Sequence, residues 1–335
     1  MDAAGTPELT RFVRDAGEVD VIGHRVVHGG SEFREGVLVT DEVLSQLRAV
    51  SQLAPLHNPP ALSALEAVRR VAPGVPNVAC FDTAFHAAIP RRAATYALPR
   101  AWTEERGVRR YGFHGLSHAY AARRTAELLG RSPEDLRVVT CHLGAGASLA
   151  AVAFGHSVDT TMGFTPLEGL VMATRSGSVD PGALLWLQRS LGISPEEMER
   201  VLERESGVLA LSGSADMRDV LRRSDEGDER ARLAVEVYVH RLCGSIAAMA
   251  ASMAGVDAVA FTGGVGEGSA GIRAAACQGL RFMGLSLDAA RNEEAGDEDV
   301  DLSAPGAAVR VTVVQAREDL EIAREVRRIG SSRRH

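Results

Sequence analysis

Short apolar runs of β character alternate along this chain with segments of helical period, and that alternation admits little besides an α/β fold. Residues 19–27, 77–81, 137–142, 147–153, 258–262 and 308–314 read as strands. Residues 41–50, 59–71, 117–129, 195–206, 228–254 and 318–328 read as helices. Asn58-Pro59-Pro60 offers an N-cap with proline at the first helical position, and Ser194-Pro195-Glu196-Glu197 fits a capping box. Segment 137–161 reads as a strand, a tight turn at 142–146, a second short strand and room for a third. The polar stretch 291–301 reads as an exposed loop or insertion. With 335 residues, 45% of them hydrophobic, the chain has material for two cores.

The charge pattern removes several function classes. A net charge of −7 argues against an electrostatic grip on nucleic acid or anionic membrane. The chain contains no lysine, so all 37 basic side chains are arginines. That excludes a lysine P-loop and Schiff-base chemistry. Cys80, Cys141, Cys243 and Cys277 lie far apart without a CxxC pair and read as reduced core residues. The polar residues 1–17 lack the apolar stretch of a signal peptide, and the uncharged run 242–256 is too short to span a bilayer. A soluble, cytosolic protein is expected.

Two isolated arginines carry the first chemical signal. Arg25, in Gly23-His24-Arg25-Val26-Val27-His28-Gly29-Gly30, ends a β run just before a glycine pair, and Arg175 sits in Thr174-Arg175-Ser176-Gly177. A guanidinium fork beside glycine matches a carboxylate or phosphoryl group and lets it approach the backbone. The turn His142-Leu143-Gly144-Ala145-Gly146 and the run Phe261-Thr262-Gly263-Gly264-Val265-Gly266-Glu267-Gly268 add free backbone amides, although Gly-x-Gly also serves as a plain hairpin turn. No acidic residue follows at the spacing a dinucleotide fingerprint needs.

Asp82 sits just past a strand, where a carboxylate serves either a ligand or a helix N-cap. His114, between glycines, reads equally as a structural or a cleft residue. The long run from Asp159 to Gly169, without helical period, suits a site-lining loop. Asp216 opens a helix and could simply cap it; Glu318 reads as a metal-binding carboxylate or an ordinary first-turn acid. This inventory, without a serine elbow or zinc signature, suits phosphoryl transfer.

Eight runs in order, at 24–30, 53–60, 81–86, 111–115, 159–177, 216–219, 261–267 and 322–325, resemble the acetokinase family of carboxylate kinases. The resemblance implies two actin-like, sugar-kinase-type α/β domains with a nucleotide cleft between them. They would span residues 1–86 plus 319–335, and 87–318. It implies reversible transfer of the ATP γ-phosphoryl group to acetate, with propionate as the alternative acceptor, Mg²⁺ (or Mn²⁺) as cofactor and ADP as product. Arg25 and Arg175 would hold the carboxylate and the transferring group, Asp82 would be the catalytic carboxylate, and His114 would stabilise the transition state as an imidazolium. Val27, Leu56, Phe113 and Pro166 would form the methyl pocket. His142, Leu143, Gly144, Ala145, Gly146, Asp216, Met217, Arg218, Gly264, Val265, Gly266, Glu267 and Gly268 would contact the nucleotide, and Glu318 the metal. A homodimer through the second domain is implied, with the apolar pattern at 235–254 as a candidate surface.

The chain also departs from the family pattern. About sixty residues of that pattern, with a phosphate-binding turn, have no counterpart before the Arg25 strand, so the first domain is expected to be incomplete. Ala145, Ser178, Gly268 and Arg317 replace residues that are usually Asn or Asp. A non-catalytic nucleotide- or anion-binding homologue is therefore the alternative to an active kinase.

Overall fold

The computed structural model describes residue 11, residues 15–54 and residues 57–331. Leu56, assigned to the methyl pocket, lies outside the described residues. Two sheets form the frame, one of three strands and one of six.

In the first sheet, β1 (Ile22–Val26) runs parallel to β3 (Asn77–Phe81), with Arg25 opposite Cys80 and Val26 opposite Phe81. The two-residue β2 (Val37–Leu38) pairs antiparallel to β3, giving the order β1-β3-β2. One face packs Val26 and Phe81 against Leu44, Leu47, Leu62 and Leu65 of helices Asp41–Val50 and Asn58–Val71. The other face sets Val78 and Cys80 against Leu116 and Ile322.

The second sheet is built around β4 (Arg137–Leu143), antiparallel to β5 (Ala147–Ala153) and parallel to β7 (Ala258–Thr262). The third strand for which segment 137–161 has room is β6 (His156–Thr160), and β9 (Arg310–Val313) and β8 (Val300–Asp301) complete the far side. The order across the sheet is β6-β5-β4-β7-β9-β8. Both faces of β7 are covered, which is why it reads as an unbroken apolar run. Helix Glu229–Ser252 covers one face with Ala231, Ala234, Tyr238, Leu242, Ile246 and Met249, a buried stripe at helical spacing.

Helix Gly115–Leu128 joins the two halves. Leu116 packs on the first sheet, while Ala126 packs on Val138 and Ala258 of the second and Thr125 Oγ1 lies 3.0 Å from Thr312 Oγ1. Its N-terminus therefore lies where the sheets converge. Gly115 fits only as glycine, since a Cβ there would fall 2.1 Å from the Asp82 carbonyl oxygen.

Several sequence expectations need correction. Asn58 is the first helical residue and fully buried; its side chain accepts from His28 N at 3.0 Å and donates to His28 O at 2.9 Å, and the N-cap is His57. The glycine run after β7 is a helical turn, Gly263–Gly268, entered through a left-handed Gly263 at φ +78°. Stretch 291–301 is only partly a loop. It contributes the buried Asn292 and strand β8. Helices Pro181–Leu191 and Gly207–Ser212 come in addition to those the sequence pattern predicts. The Ser194 cap forms as expected, accepting from Glu197 N at 3.1 Å. Cys80, Cys141 and Cys277 are free and buried, and Cys243 is free and partly buried.

Candidate active site

Arg25 leaves the end of β1 and meets Asp82, which follows β3, because the two strands are parallel neighbours. Arg25 Nε donates to Asp82 Oδ1 at 2.8 Å and Nη2 donates to Oδ2 at 2.7 Å, while Nη1 lies 2.9 Å from Glu318 Oε2. Burial works against the guanidinium charge, but the Asp82 bonds and the charges of Asp82 and Glu318 outweigh it and raise the pKa further. Asp82 is buried with both oxygens engaged. It orients an arginine and does not cap a helix.

Arg175 is fixed from a different direction. Its Nε lies 2.8 Å from Glu203 Oε2, Nη1 donates to Pro166 O at 3.4 Å, and Nη2 lies 3.5 Å from His57 Nε2. Glu203, on helix Pro195–Arg204, carries no local signal, since an acid in that helix reads as surface charge.

His114 sits between these arrangements at φ +55°, a left-handed conformation that costs energy for a histidine, just ahead of helix Gly115–Leu128. Its ring stacks on His142 with centroids 4.3 Å apart, and its Nδ1 lies 2.9 Å from Ser148 Oγ. A Cβ placed on Gly146 would lie 3.4 Å from His114 Nε2 and 3.3 Å from Arg175 Nη1, so the two groups converge on one point above the Gly146 backbone. Burial, followed by the charges of His142, His118, Arg25 and Arg175, holds the His114 pKa well below the usual histidine value. Burial and these charges favour the neutral imidazole over the imidazolium that the resemblance implies.

Beside this cluster opens a cleft of about 580 Å³ lined by Gly144, Ala145, Asp216, Met217, Arg218, Gly264, Val265 and Gly268, with Tyr238 and Val208. Eight of the expected nucleotide residues therefore share one wall system. The other five are not among its lining residues. Leu143 is fully buried, His142 stacks on His114, and Glu267 turns inward so that Oε1 accepts from Gly263 N at 2.6 Å and Ala316 N at 2.9 Å. Asp216 lines the cleft and also caps its helix, accepting from Arg218 N at 3.0 Å. The buried Arg273 donates to the carbonyls of Gly266 and Asn292 at 3.0 and 2.8 Å and to that of Glu267 at 2.5 Å, pinning the end of the glycine helix.

Val27 packs against the core cluster that contains Phe113, and Pro166 is tied to Arg175 through its carbonyl. Among the described residues no group of three or more His, Cys, Asp or Glu could hold a metal unaided. Mg²⁺ needs no such cage, because one or two carboxylates plus phosphate and water oxygens suffice. Glu318 supplies one carboxylate at the cluster, with Oε2 2.9 Å from Arg25 Nη1, although burial, opposed by Arg25 and aided by Asp82, pushes its pKa up.

Residues 7–324 match the acetokinase family. The acetate kinase of Thermotoga maritima is 50% identical over 326 residues, covering 96% of this chain and 81% of that relative. The chain belongs to the acetokinase family. Membership makes it a kinase, and its fold is the two-domain actin-like fold of that family. The acetate kinase of Nostoc punctiforme is 49% identical over 315 residues, 94% of this chain and 77% of its own. The crystal structure of Porphyromonas gingivalis acetate kinase superposes with a TM-score of 0.89 at 42% identity, covering 93% of this chain and 78% of that one. A propionate kinase from Francisella tularensis superposes equally well, with a TM-score of 0.89 at 37% identity over 95% of this chain and 82% of its own. Within this acetokinase frame, the family departures Ala145 and Gly268 both line the cleft, and Arg317 pairs with Asp319.

Proposed function

We propose that this acetokinase transfers the γ-phosphoryl group of ATP reversibly to acetate, giving acetyl phosphate and ADP by direct in-line displacement. The observation that carries the reading is the convergence of His114 Nε2 and Arg175 Nη1 above Gly146, beside the Arg25–Asp82 pair and the 580 Å³ cleft. A loose phosphoryl-transfer transition state spreads charge over three equatorial oxygens, and fixed donors around that position lower its energy. Acetate is already a nucleophile, so no general base is required. Arg25, aligned by Asp82, orients the carboxylate; Arg175, held by Glu203, and the neutral His114 donate to the moving phosphoryl oxygens. Glu318 would hold Mg²⁺, which when bound neutralises phosphate charge. The nucleotide would lie in the cleft at Gly144, Asp216 and Gly264, and Val27, Phe113 and Pro166 would surround the methyl group.

Wild-type protein with ATP, Mg²⁺, acetate and hydroxylamine should yield acetyl hydroxamate, and Arg175→Ala or His114→Ala should abolish it in folded protein. Propionate is the second reading, favoured by the likeness to a propionate kinase. One methylene is worth about 1–3 kcal/mol of discrimination, so kcat/KM for the two acids should be compared directly. A homodimer is supported by the unburied apolar side of the second domain, where Leu185, Trp186 and Leu191 are 56%, 60% and 66% exposed. Light scattering at micromolar concentration tests it. A cytoplasmic location follows from the same reading, since ATP is the substrate.

A further inference from the structure

Behind His114 runs a chain of hydrogen bonds that the transfer reaction as described does not use. His114 Nδ1 lies 2.9 Å from Ser148 Oγ, Ser148 Oγ lies 2.8 Å from His118 Nε2, and His118 Nδ1 lies 2.7 Å from Thr140 Oγ1. Ser148, His118 and Thr140 are fully buried. A neutral histidine donates from one nitrogen and accepts at the other, so each link dictates the next.

Two arrangements of the protons use the Ser148 hydroxyl as a donor within the chain, and Thr140 chooses between them. Its hydroxyl proton can go to His118 Nδ1 at 2.7 Å or to the Ala150 carbonyl at 3.5 Å. The second distance is at the limit of a hydrogen bond and the first is short. With Thr140 donating to His118 Nδ1, His118 Nε2–H donates to Ser148 Oγ, and Ser148 O–H donates to His114 Nδ1. The proton of His114 is then on Nε2, the nitrogen that converges with Arg175 Nη1 above Gly146. The reverse arrangement would point a lone pair at an anionic phosphoryl group. His86 shows the same logic nearby: its Nε2 must donate to Phe113 O at 3.0 Å, so its Nδ1 accepts from Ser157 Oγ at 2.7 Å.

We propose that Thr140, His118 and Ser148 form a relay that fixes His114 in the Nε2–H tautomer, making Ser148 and His118 positioning residues for phosphoryl transfer. The proposal rests on the carboxylate kinase reading and specifies how its imidazole becomes a donor without carrying a charge. No net proton moves. Stacking on His142, whose Nδ1 lies 2.8 Å from Ser117 Oγ, holds the ring plane, and the relay sets which nitrogen bears hydrogen. A histidine locked in the wrong tautomer loses most of its catalytic value even when its geometry is intact.

The test is ¹⁵N NMR of histidine-labelled wild-type protein combined with kinetics. His114 Nδ1 should resonate as an unprotonated nitrogen and Nε2 as a protonated one. Ser148→Ala should lower kcat by about 10- to 100-fold, the range seen when an outer partner orienting a histidine is removed. KM for ATP and acetate should stay nearly unchanged, and the His114 Nδ1 resonance should shift. His118→Gln keeps an N–H donor to Ser148 and should retain the tautomer and most of kcat, whereas His118→Phe should lose both. An Nδ1–H tautomer in wild-type protein, or an unchanged tautomer and kcat in Ser148→Ala, overturns the relay. The wild-type spectrum decides even if a variant does not fold. If wild-type protein forms no acyl phosphate, the functional reading and the catalytic role of the relay fall together, while the tautomer is still read independently of turnover.

Discussion

Asp82 holds Arg25 through two parallel hydrogen bonds, which the guanidinium donates at 2.8 and 2.7 Å to a carboxylate that is 1% exposed. The buried acid determines the direction of the arginine. A two-point pair of this kind fixes both the plane and the position of the guanidinium. Asp82→Asn removes the charge and one acceptor while keeping the shape. We expect kcat to fall by at least about 100-fold, the scale of losing a preorganised transition-state donor, with circular dichroism unchanged. Activity of the Asp82→Asn variant within a few-fold of wild type would show that Arg25 does not need this anchor.

Arg175 depends in the same way on Glu203, which is 2.8 Å away and 11% exposed at its side chain. Hydrogen bonds to charged groups contribute about 1.5–3 kcal/mol when partly buried, so Glu203→Gln should reduce kcat about 10- to 100-fold. Glu203→Asp, with a shorter reach, should fall between Gln and wild type. Steady-state kinetics with saturating ATP and acetate measures both.

Gly146 tests the convergence point itself. It does not occupy a left-handed conformation, so its backbone accepts alanine, but the added methyl would stand 3.3 Å from Arg175 Nη1 and 3.4 Å from His114 Nε2. Each neighbour need give only a few tenths of an ångström, but the methyl would occupy the point on which the two donors converge. Gly146→Ala should therefore lose turnover while ADP affinity, measured by calorimetry, changes little. Equal loss of both would place Gly146 in nucleotide binding instead.

The buried histidines make stability depend on pH. Burial lowers His28, His86 and His142 to about 4, with an opposing hydrogen bond to Phe113 O at His86 and an added push from Arg25 at His142. Between the folded value near 4 and the unfolded value of about 6.5, the unfolded chain binds more protons, so stability rises with pH across that window. Their full contribution is present above pH about 6.5 and is lost as pH falls towards 4, at about 2 kcal/mol for His86 alone by pH 5. Urea unfolding at pH 7 and pH 5 should show the loss, and His86→Gln should flatten the slope. A slope identical in the variant would contradict the assignment.

Strands such as Asn77–Phe81 and Ala258–Thr262 are legible in the sequence because both faces are buried and the apolar run is unbroken. The two-residue strands Val37–Leu38 and Val300–Asp301 are too short to show a period and exist only through their partners. Arg25, Asp82, His114 and Arg175 stand out through their glycine-rich or strand-end surroundings. Glu203 and Ser148 do not, because each acts across the fold on a group distant in sequence. His118, one helical turn after His114, offers the one local hint of the relay. His142 reads in the sequence as part of a nucleotide turn, and only the tertiary structure places it against His114.

On the proposed reading, Arg25, Arg175 and His114 surround a phosphoryl group in transit to a carboxylate. Single-turnover transfer from γ-³²P-labelled ATP to acetate in the presence of Mg²⁺, with acetyl phosphate trapped as the hydroxamate, measures this most directly. Wild-type protein should give labelled acetyl phosphate, and folded Arg175→Ala should give none. Labelled product from Arg175→Ala at the wild-type rate, or none from wild-type protein that binds ATP, would contradict it.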